Sequence, residues 1–168
     1  MSAPERGAAR ARPLRLLGID PGTRLAGWGV VEMRGSRLVL VACGVLRPTR
    51  RVALAERLAQ LFAGYEGVLR KYRPRMAALE ETFAGRNLRS AIALGEGRGV
   101  ALLALARAGL EVAEFAPARI KLAVTGRGNA SKLLVAKLVC ARLGLARPPR
   151  PADITDALAA AITLAQRR

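Results

Sequence analysis

The chain has 168 residues, 52% hydrophobic and 24% charged, the length and composition of one globular unit. Its 29 lysines and arginines outweigh 12 acids by a net charge of +17, which points to a polyanionic partner, most simply nucleic acid. There is no histidine, which excludes Ser-His-Asp triads, Cys-His pairs, His-ligated zinc and a histidine general base; chemistry on this chain rests on carboxylates, lysines, hydroxyls, thiols or an oxygen-held cation.

Residues 1–13 mix Ala, Arg, Pro and Gly without period and read as a disordered basic arm ahead of a single domain over residues 14–168. The first strand is expected at Leu14–Asp20, apolar apart from Arg15 and Gly18, as in a central strand covered on both faces. Pro21-Gly22 stops it and leaves Asp20 at the edge of the core. There the carboxylate either bonds the backbone of its own turn or holds a cation. Strands over Leu25–Met33 and Arg37–Leu46 follow, joined by a hairpin turn at Arg34-Gly35-Ser36, so the chain opens as an antiparallel meander.

Val52 to Lys71 changes period: Leu54, Leu58, Leu61, Phe62, Tyr65, Val68 and Leu69 recur at helical steps, and Arg73-Pro74-Arg75 breaks the helix. Met76–Glu80 is a fourth strand, apolar until its terminal acid. A second helix spans Asn87–Ala108 with Asn87 as its cap, and a fifth strand spans Leu110–Phe115. Pro117–Val124 reads as a short helix, Thr125–Asn129 as a basic glycine loop, and Ser131 as the cap of a helix reaching Leu143. After the stiff stretch Arg147–Pro151, a last helix runs over Ala152–Gln166. The order implies a mixed five-stranded α/β sheet with helices on both faces. No uncharged apolar run reaches the ~20 residues of a membrane span and the N-terminus lacks an apolar signal core, so no membrane association and a cytoplasmic location are expected. Cys43 and Cys140 read as buried free thiols.

Asp20 and Glu80 each end an apolar strand. If those strands are parallel neighbours, both carboxylates emerge at one sheet edge, and alternation sends Glu81 to the other face. Asp153 and Asp156, three apart, share a helix face. Asp153 reads equally as an N-cap, and Asp156 as a first-turn acid favoured by the helix dipole. Acids placed this way in so basic a chain suggest a cation site, whose all-oxygen donors favour Mg²⁺ or Mn²⁺. Four carboxylates suffice for two ions about 3.5–4 Å apart, the arrangement that serves phosphoryl displacement.

Leu17-Gly18-Ile19-Asp20-Pro21-Gly22-Thr23 with Gly27-Trp28-Gly29-Val30, then Leu79-Glu80-Glu81-Thr82-Phe83, Asn87, Leu94–Val100 and Asp153-Ile154-Thr155-Asp156-Ala157-Leu158-Ala159, resemble in order the motifs of the RuvC-type Holliday junction resolvases. The resemblance covers about Leu14 to Leu164. It implies a ribonuclease-H-like fold and a homodimeric, Mg²⁺-dependent endonuclease that nicks opposing strands of a four-way DNA junction during recombination and repair. Asp20, Glu80, Asp153 and Asp156 become the metal-binding acids; the first of the last pair varies to histidine in some relatives. Phe83, in a loop with Gly85 and Arg86, becomes a residue that stacks on an unpaired base at the junction, against the alternative of a core Phe at a strand end. Lys121 and Lys132 match lysines the family needs near the site, though each reads equally as surface charge. Arg127 and the backbone of its glycine loop are candidates for phosphate contact, as are Arg86 and Asn87. Gly95, Gly97 and Gly99 each weaken their helix by roughly 1 kcal/mol relative to alanine, which close approach to a second copy or packing against the fourth strand would offset. A branch-migration motor is a further partner of the family, with no readable motif here.

Two other readings compete. Actin- and sugar-kinase-like phosphotransferases open with a similar Gly-Ile-Asp-x-Gly-Thr turn but normally need two such domains. A non-catalytic nucleic-acid-binding protein explains the charge and leaves the placed acids without a role.

Overall fold

The protein's structure, a computed structural model, describes residues 13–81 and 88–167. Strands β1 (Leu14–Asp20), β2 (Ala26–Arg34) and β3 (Arg37–Leu46) form the expected meander. The β2–β3 turn needs only two residues, because Arg34 already pairs with Arg37 and Gly35 takes φ +62°. Helix α1 (Leu54–Tyr72) leads to β4 (Met76–Glu80), α2 (Leu88–Arg107), β5 (Glu111–Phe115), α3 (Pro117–Thr125), α4 (Lys132–Leu143) and α5 (Ala152–Ala165). The sheet order is β3-β2-β1-β4-β5, with β4 parallel to both β1 and β5. Helical crossovers through α1 and α2 make that pairing possible.

Most boundaries fall within a residue or two of the sequence expectation, and three of the differences have a visible cause. Helix α1 starts at Leu54 rather than Val52, because Ala53 keeps an extended backbone with ψ 154°. It ends at Tyr72, where Arg73 takes the left-handed region with φ 48° and returns its N–H to the Leu69 carbonyl; proline at 74 steers its predecessor away from the right-handed helix. Asp153 is not the cap of α5, since Pro151 holds that position and Asp153 lies in the first turn. Ser131 does cap α4, accepting from the Leu134 N–H at 3.2 Å. The proposed cap Asn87 lies outside the described residues.

Strand alternation sorts the core into two halves. Leu17, Ile19, Val30 and Leu79 face α1 and α2, while Leu16, Val31 and Ala78 face α3, α4 and α5. Cys140 is buried, but Cys43, expected buried, is only half so on edge strand β3; both are free. At the far end of the β1–β2 ladder, buried Glu32 accepts from Arg34 at 2.8 Å and Arg15 at 3.0 Å, which holds its carboxyl below the ordinary range. Among the described residues no helix is long and apolar enough to cross a membrane.

The helix that matters most for the site is α5. From Ala157 to Ala165 every residue is buried, and five of them are the alanines 157, 159, 160, 161 and 165. Its backbone lies directly on glycines of β1 and β2. A Cβ on Gly18 would overlap the Ala157 carbonyl oxygen and come within 2.8 Å of the Ala161 nitrogen; one on Gly27 would overlap the Asp153 carbonyl. Small residues on both sides let the helix sink onto the sheet, and this seating sets where its first turn projects.

Candidate active site

The β1–β4 register ends with Ile19 opposite Leu79, so the next residues, Asp20 and Glu80, stand level on adjacent parallel strands about 4.8 Å apart. Ile19 and Leu79 both face α1 and α2, so alternation turns Asp20 and Glu80 towards the face that α5 covers. Across the antiparallel ladder Asp20 pairs with Gly27, and the Asp153 backbone rests on Gly27. The first turn of α5 is thereby laid over the strand ends, bringing Asp153 and Asp156 to Asp20.

Electrostatics register that convergence. Burial raises the Asp20 carboxyl to about 7, helped by the negative charges of Asp156, Asp153 and Glu80 and opposed by Lys132. Glu80 is raised by burial and by Asp156, with Lys132 and Lys121 opposing. Lys132, the first residue of α4, donates to Asp156 Oδ2 at 3.2 Å and is raised chiefly by that charge. Six of the expected site residues therefore lie near enough to feel one another's charge: Asp20, Glu80, Asp153, Asp156, Lys121 and Lys132.

Of the remaining ones, the described residue Arg127 does not join them. Arg127 is exposed, and its backbone N–H, expected to face phosphate, is taken by Thr125 Oγ1 at 3.1 Å. Phe83, Arg86 and Asn87 lie outside the described residues. Gly97 packs against the Pro21-Gly22 turn rather than β4, a Cβ there falling 2.8 Å from the Gly22 carbonyl carbon, whereas Gly95 and Gly99 open onto free space.

Two contributors escaped the sequence reading. Arg98 donates to the Glu80 carbonyl at 3.0 Å and pairs with Glu114, tying the end of β4 to α2 and β5. Its place in the Leu94–Val100 motif was the available signal. Tyr65 is buried beneath the site, its hydroxyl has no hydrogen-bond partner among the described residues, and burial, helped by the Asp20 charge, pushes its pKa up. At helical spacing it was indistinguishable from an ordinary core aromatic.

Every acid at this edge offers hard oxygen donors, the chemistry of Mg²⁺- and Mn²⁺-type ligation. As the side chains stand, no three acidic groups among the described residues close around one point, and Asp156 pairs with Lys132. The strained acidity of Asp20 is nonetheless what a divalent charge relieves, and the donor set fits such an ion.

That strain has a pH signature. The folded value near 7 lies above the ordinary 3.8, so Asp20's contribution to stability is complete below pH 3.8 and is lost as pH rises through 7. In chelator, the parent is expected to lose thermal stability relative to Asp20→Asn between pH 5 and pH 8.5. Melting temperatures of the two proteins that run parallel across that range would refute the raised pKa.

A mixed ribonuclease-H-like sheet carrying acids at the ends of β1 and β4 and on the helix across them defines a class: nucleases whose chemistry rests on carboxylates and metal. The family model described as crossover junction endodeoxyribonuclease RuvC matches residues 16–164. The chain is 46% identical over 155 residues to the protein of that name from Azorhizobium caulinodans, covering 92% of this chain and 91% of the relative. It is 48% identical over 149 residues to that of Chloroflexus aggregans, covering 89% and 91%. Its fold superposes on T. thermophilus RuvC, solved in complex with a Holliday junction substrate, with a TM-score of 0.86 and 36% identity over 90% of this chain and 93% of that one. The chain belongs to the crossover junction endodeoxyribonuclease RuvC family. It is a DNA endonuclease of a metal-dependent family, and the phosphotransferase and non-catalytic readings fall away.

Proposed function

We propose that this chain, as a homodimer, binds a four-way DNA junction and hydrolyses one phosphodiester in each of two opposing strands, leaving ligatable ends. The observation that carries the reading is the level pairing of Asp20 and Glu80 beneath Asp153 and Asp156, with the Asp20 carboxyl raised by burial and by the charges of all three. These four acids hold the cation, Mg²⁺ or in its place Mn²⁺, as two ions per site. When bound, such ions lower the pKa of an attacking water and stabilise the departing oxygen.

The chain's own groups do the rest. Asp20 and Glu80, fixed on strands rather than loops, set the donor positions to the precision of the sheet. Lys132 neutralises Asp156 until DNA arrives and then offers its ammonium to a phosphate oxygen; Lys121 acts likewise beside Glu80. Arg127, exposed on its glycine loop, makes phosphate contact. Stacking by Phe83 and contacts by Arg86 and Asn87 rest on the family resemblance alone. Residues 14–168 work as one nuclease domain behind a basic arm. Action on cellular DNA suits the cytoplasm, and a branch-migration motor is the partner the family leads one to expect.

Dimerisation draws support from α2. Leu88, Ile92 and Leu103 are 74%, 54% and 55% exposed, and with open Gly95 and Gly99 they fall on one stripe of the helix. An apolar stripe interrupted by glycines suits the two-fold approach of a second α2. Ile92→Glu is expected to weaken the dimer roughly a hundredfold, about 2.7 kcal/mol, without unfolding the protomer. Sedimentation that still finds a dimer at the parent's concentration would remove α2 from the interface.

The decisive assay is cleavage of a synthetic four-way junction with Mg²⁺, against duplex and single-strand controls. Symmetric paired nicks in the junction alone are expected. Equal binding of junction and duplex, with neither cut in Mg²⁺ or Mn²⁺, would overturn the reading.

A further inference from the structure

A second basic feature lies at the same end of the sheet, two strands away from the acids. Arg24 follows the Asp20 turn, Arg47 follows the end of β3, Arg50 lies in the next loop, and Arg57 belongs to the first turn of α1. With Leu25 and Pro48 they line a cavity of about 340 Å³. The sheet order puts β3 two interstrand spacings, about 10 Å, from β1 and Asp20.

Four arginines lining one small cavity bring like charges together, which an anion among them would offset. None of the four takes part in an ion pair among the described residues, whose salt bridges involve other arginines and Lys132. The Arg57 Nε–H is buried without an acceptor among the described residues, a costly state for a charged donor. The amino end of the 19-residue α1 adds partial positive charge, and Ala53 offers it no side-chain cap. The nearby acid is engaged elsewhere: Glu56 accepts from the Gln60 amide at 3.4 Å. Gln60 in turn accepts the Thr49 N–H at 2.8 Å, fixing the loop that presents Arg47 and Arg50.

We infer that Arg24, Arg47, Arg50 and Arg57 form a second phosphate site, which takes a backbone phosphate of the bound DNA about 10 Å from the carboxylate edge. Guanidinium forks suit a phosphodiester's two free oxygens, and a rigid cradle offset from the scissile position fixes the direction in which an arm leaves the cleavage point. Base edges are not involved, so the site positions DNA without reading sequence. The inference rests on the junction-nuclease reading and deepens it.

The test compares the dissociation constant for a four-way junction across a salt series for the full-length parent, the Arg47→Ala/Arg50→Ala double variant, and a control with equal charge loss, Arg37→Ala/Arg70→Ala. Arg37 opens β3 at its other end, and Arg70 lies in the last turn of α1. The double variant is expected to bind about tenfold more weakly and to lose about 0.9 from the slope of log K against log salt, the loss of one phosphate contact. The control is expected to keep the parent's slope. Equal losses in both variants would reduce the cluster to diffuse charge, and an unchanged double variant would abolish the site. Inorganic phosphate titrated into DNA-free protein at constant ionic strength separates the sources: binding heat that the double variant lacks, without any change in its junction slope, makes the pocket a free-phosphate site and overturns the DNA assignment. A parent that does not bind the junction at all fails the underlying reading instead.

Discussion

Asp20→Asn is expected to lower junction cleavage by three orders of magnitude or more, about 4 kcal/mol of barrier, while junction affinity in Ca²⁺ or chelator stays within a few-fold of the parent. The amide keeps the shape of the carboxylate and its place at the end of β1, so no packing is disturbed. What goes is one negative charge at the point where Asp153, Asp156 and Glu80 converge. A divalent ion that these acids would hold would lose one anionic donor. DNA affinity comes from the basic surface, which an isosteric change at one acid leaves intact and makes slightly more positive. The same substitution is expected to stabilise the chelated protein above pH 7, since Asp20 bears a pKa raised mainly by burial. Lost cleavage together with gained stability separates a functional strain from a structural role. Retained Mg²⁺-dependent cleavage, or a destabilised variant, would remove Asp20 from the centre of the mechanism.

Much of this arrangement is legible in the sequence because each acid interrupts an apolar pattern. Asp20 ends the run Leu16–Ile19, and Glu80 ends Met76–Leu79; strand alternation alone chose Glu80 over Glu81. The switch from period two to helical spacing at α1 implied a crossover, and a crossover implied the parallel pairing that sets Asp20 level with Glu80. Asp153 and Asp156 were harder. Acids in a first helical turn are ordinary, and only the seating of α5 on the strands distinguishes them. That seating was hidden because the glycines beneath it serve by what they lack, and a missing Cβ leaves no periodic trace. Tyr65 was hidden for the opposite reason: its ring fits the core pattern, and only its depth beneath Asp20 makes the hydroxyl notable. The arginine cavity gathers residues from three separate segments, each an unremarkable surface charge along the chain.

Gly18→Ala is expected to cost about 3 kcal/mol or more, a large effect for a single methyl group. The new Cβ would overlap the Ala157 carbonyl oxygen and press within 2.8 Å of the Ala161 nitrogen, both of them backbone atoms of a helix buried on every side. No side chain can rotate out of the way, so α5 must lift from the sheet or β1 must bend. Either movement opens the alanine-lined seam that closes one half of the core. It also carries Asp156, one residue before Ala157, away from Asp20, so the folded fraction that survives should cleave poorly even at saturating Mg²⁺. Gly95→Ala supplies the contrast, since nothing lies within 4 Å of its added Cβ and a helical alanine there favours the protomer by up to about 1 kcal/mol. Denaturant midpoints of the two variants measure the difference directly. A Gly18→Ala protein with the parent's midpoint and activity would mean that α5 does not rest on β1, and the geometry that brings Asp153 and Asp156 to Asp20 would have to be rebuilt.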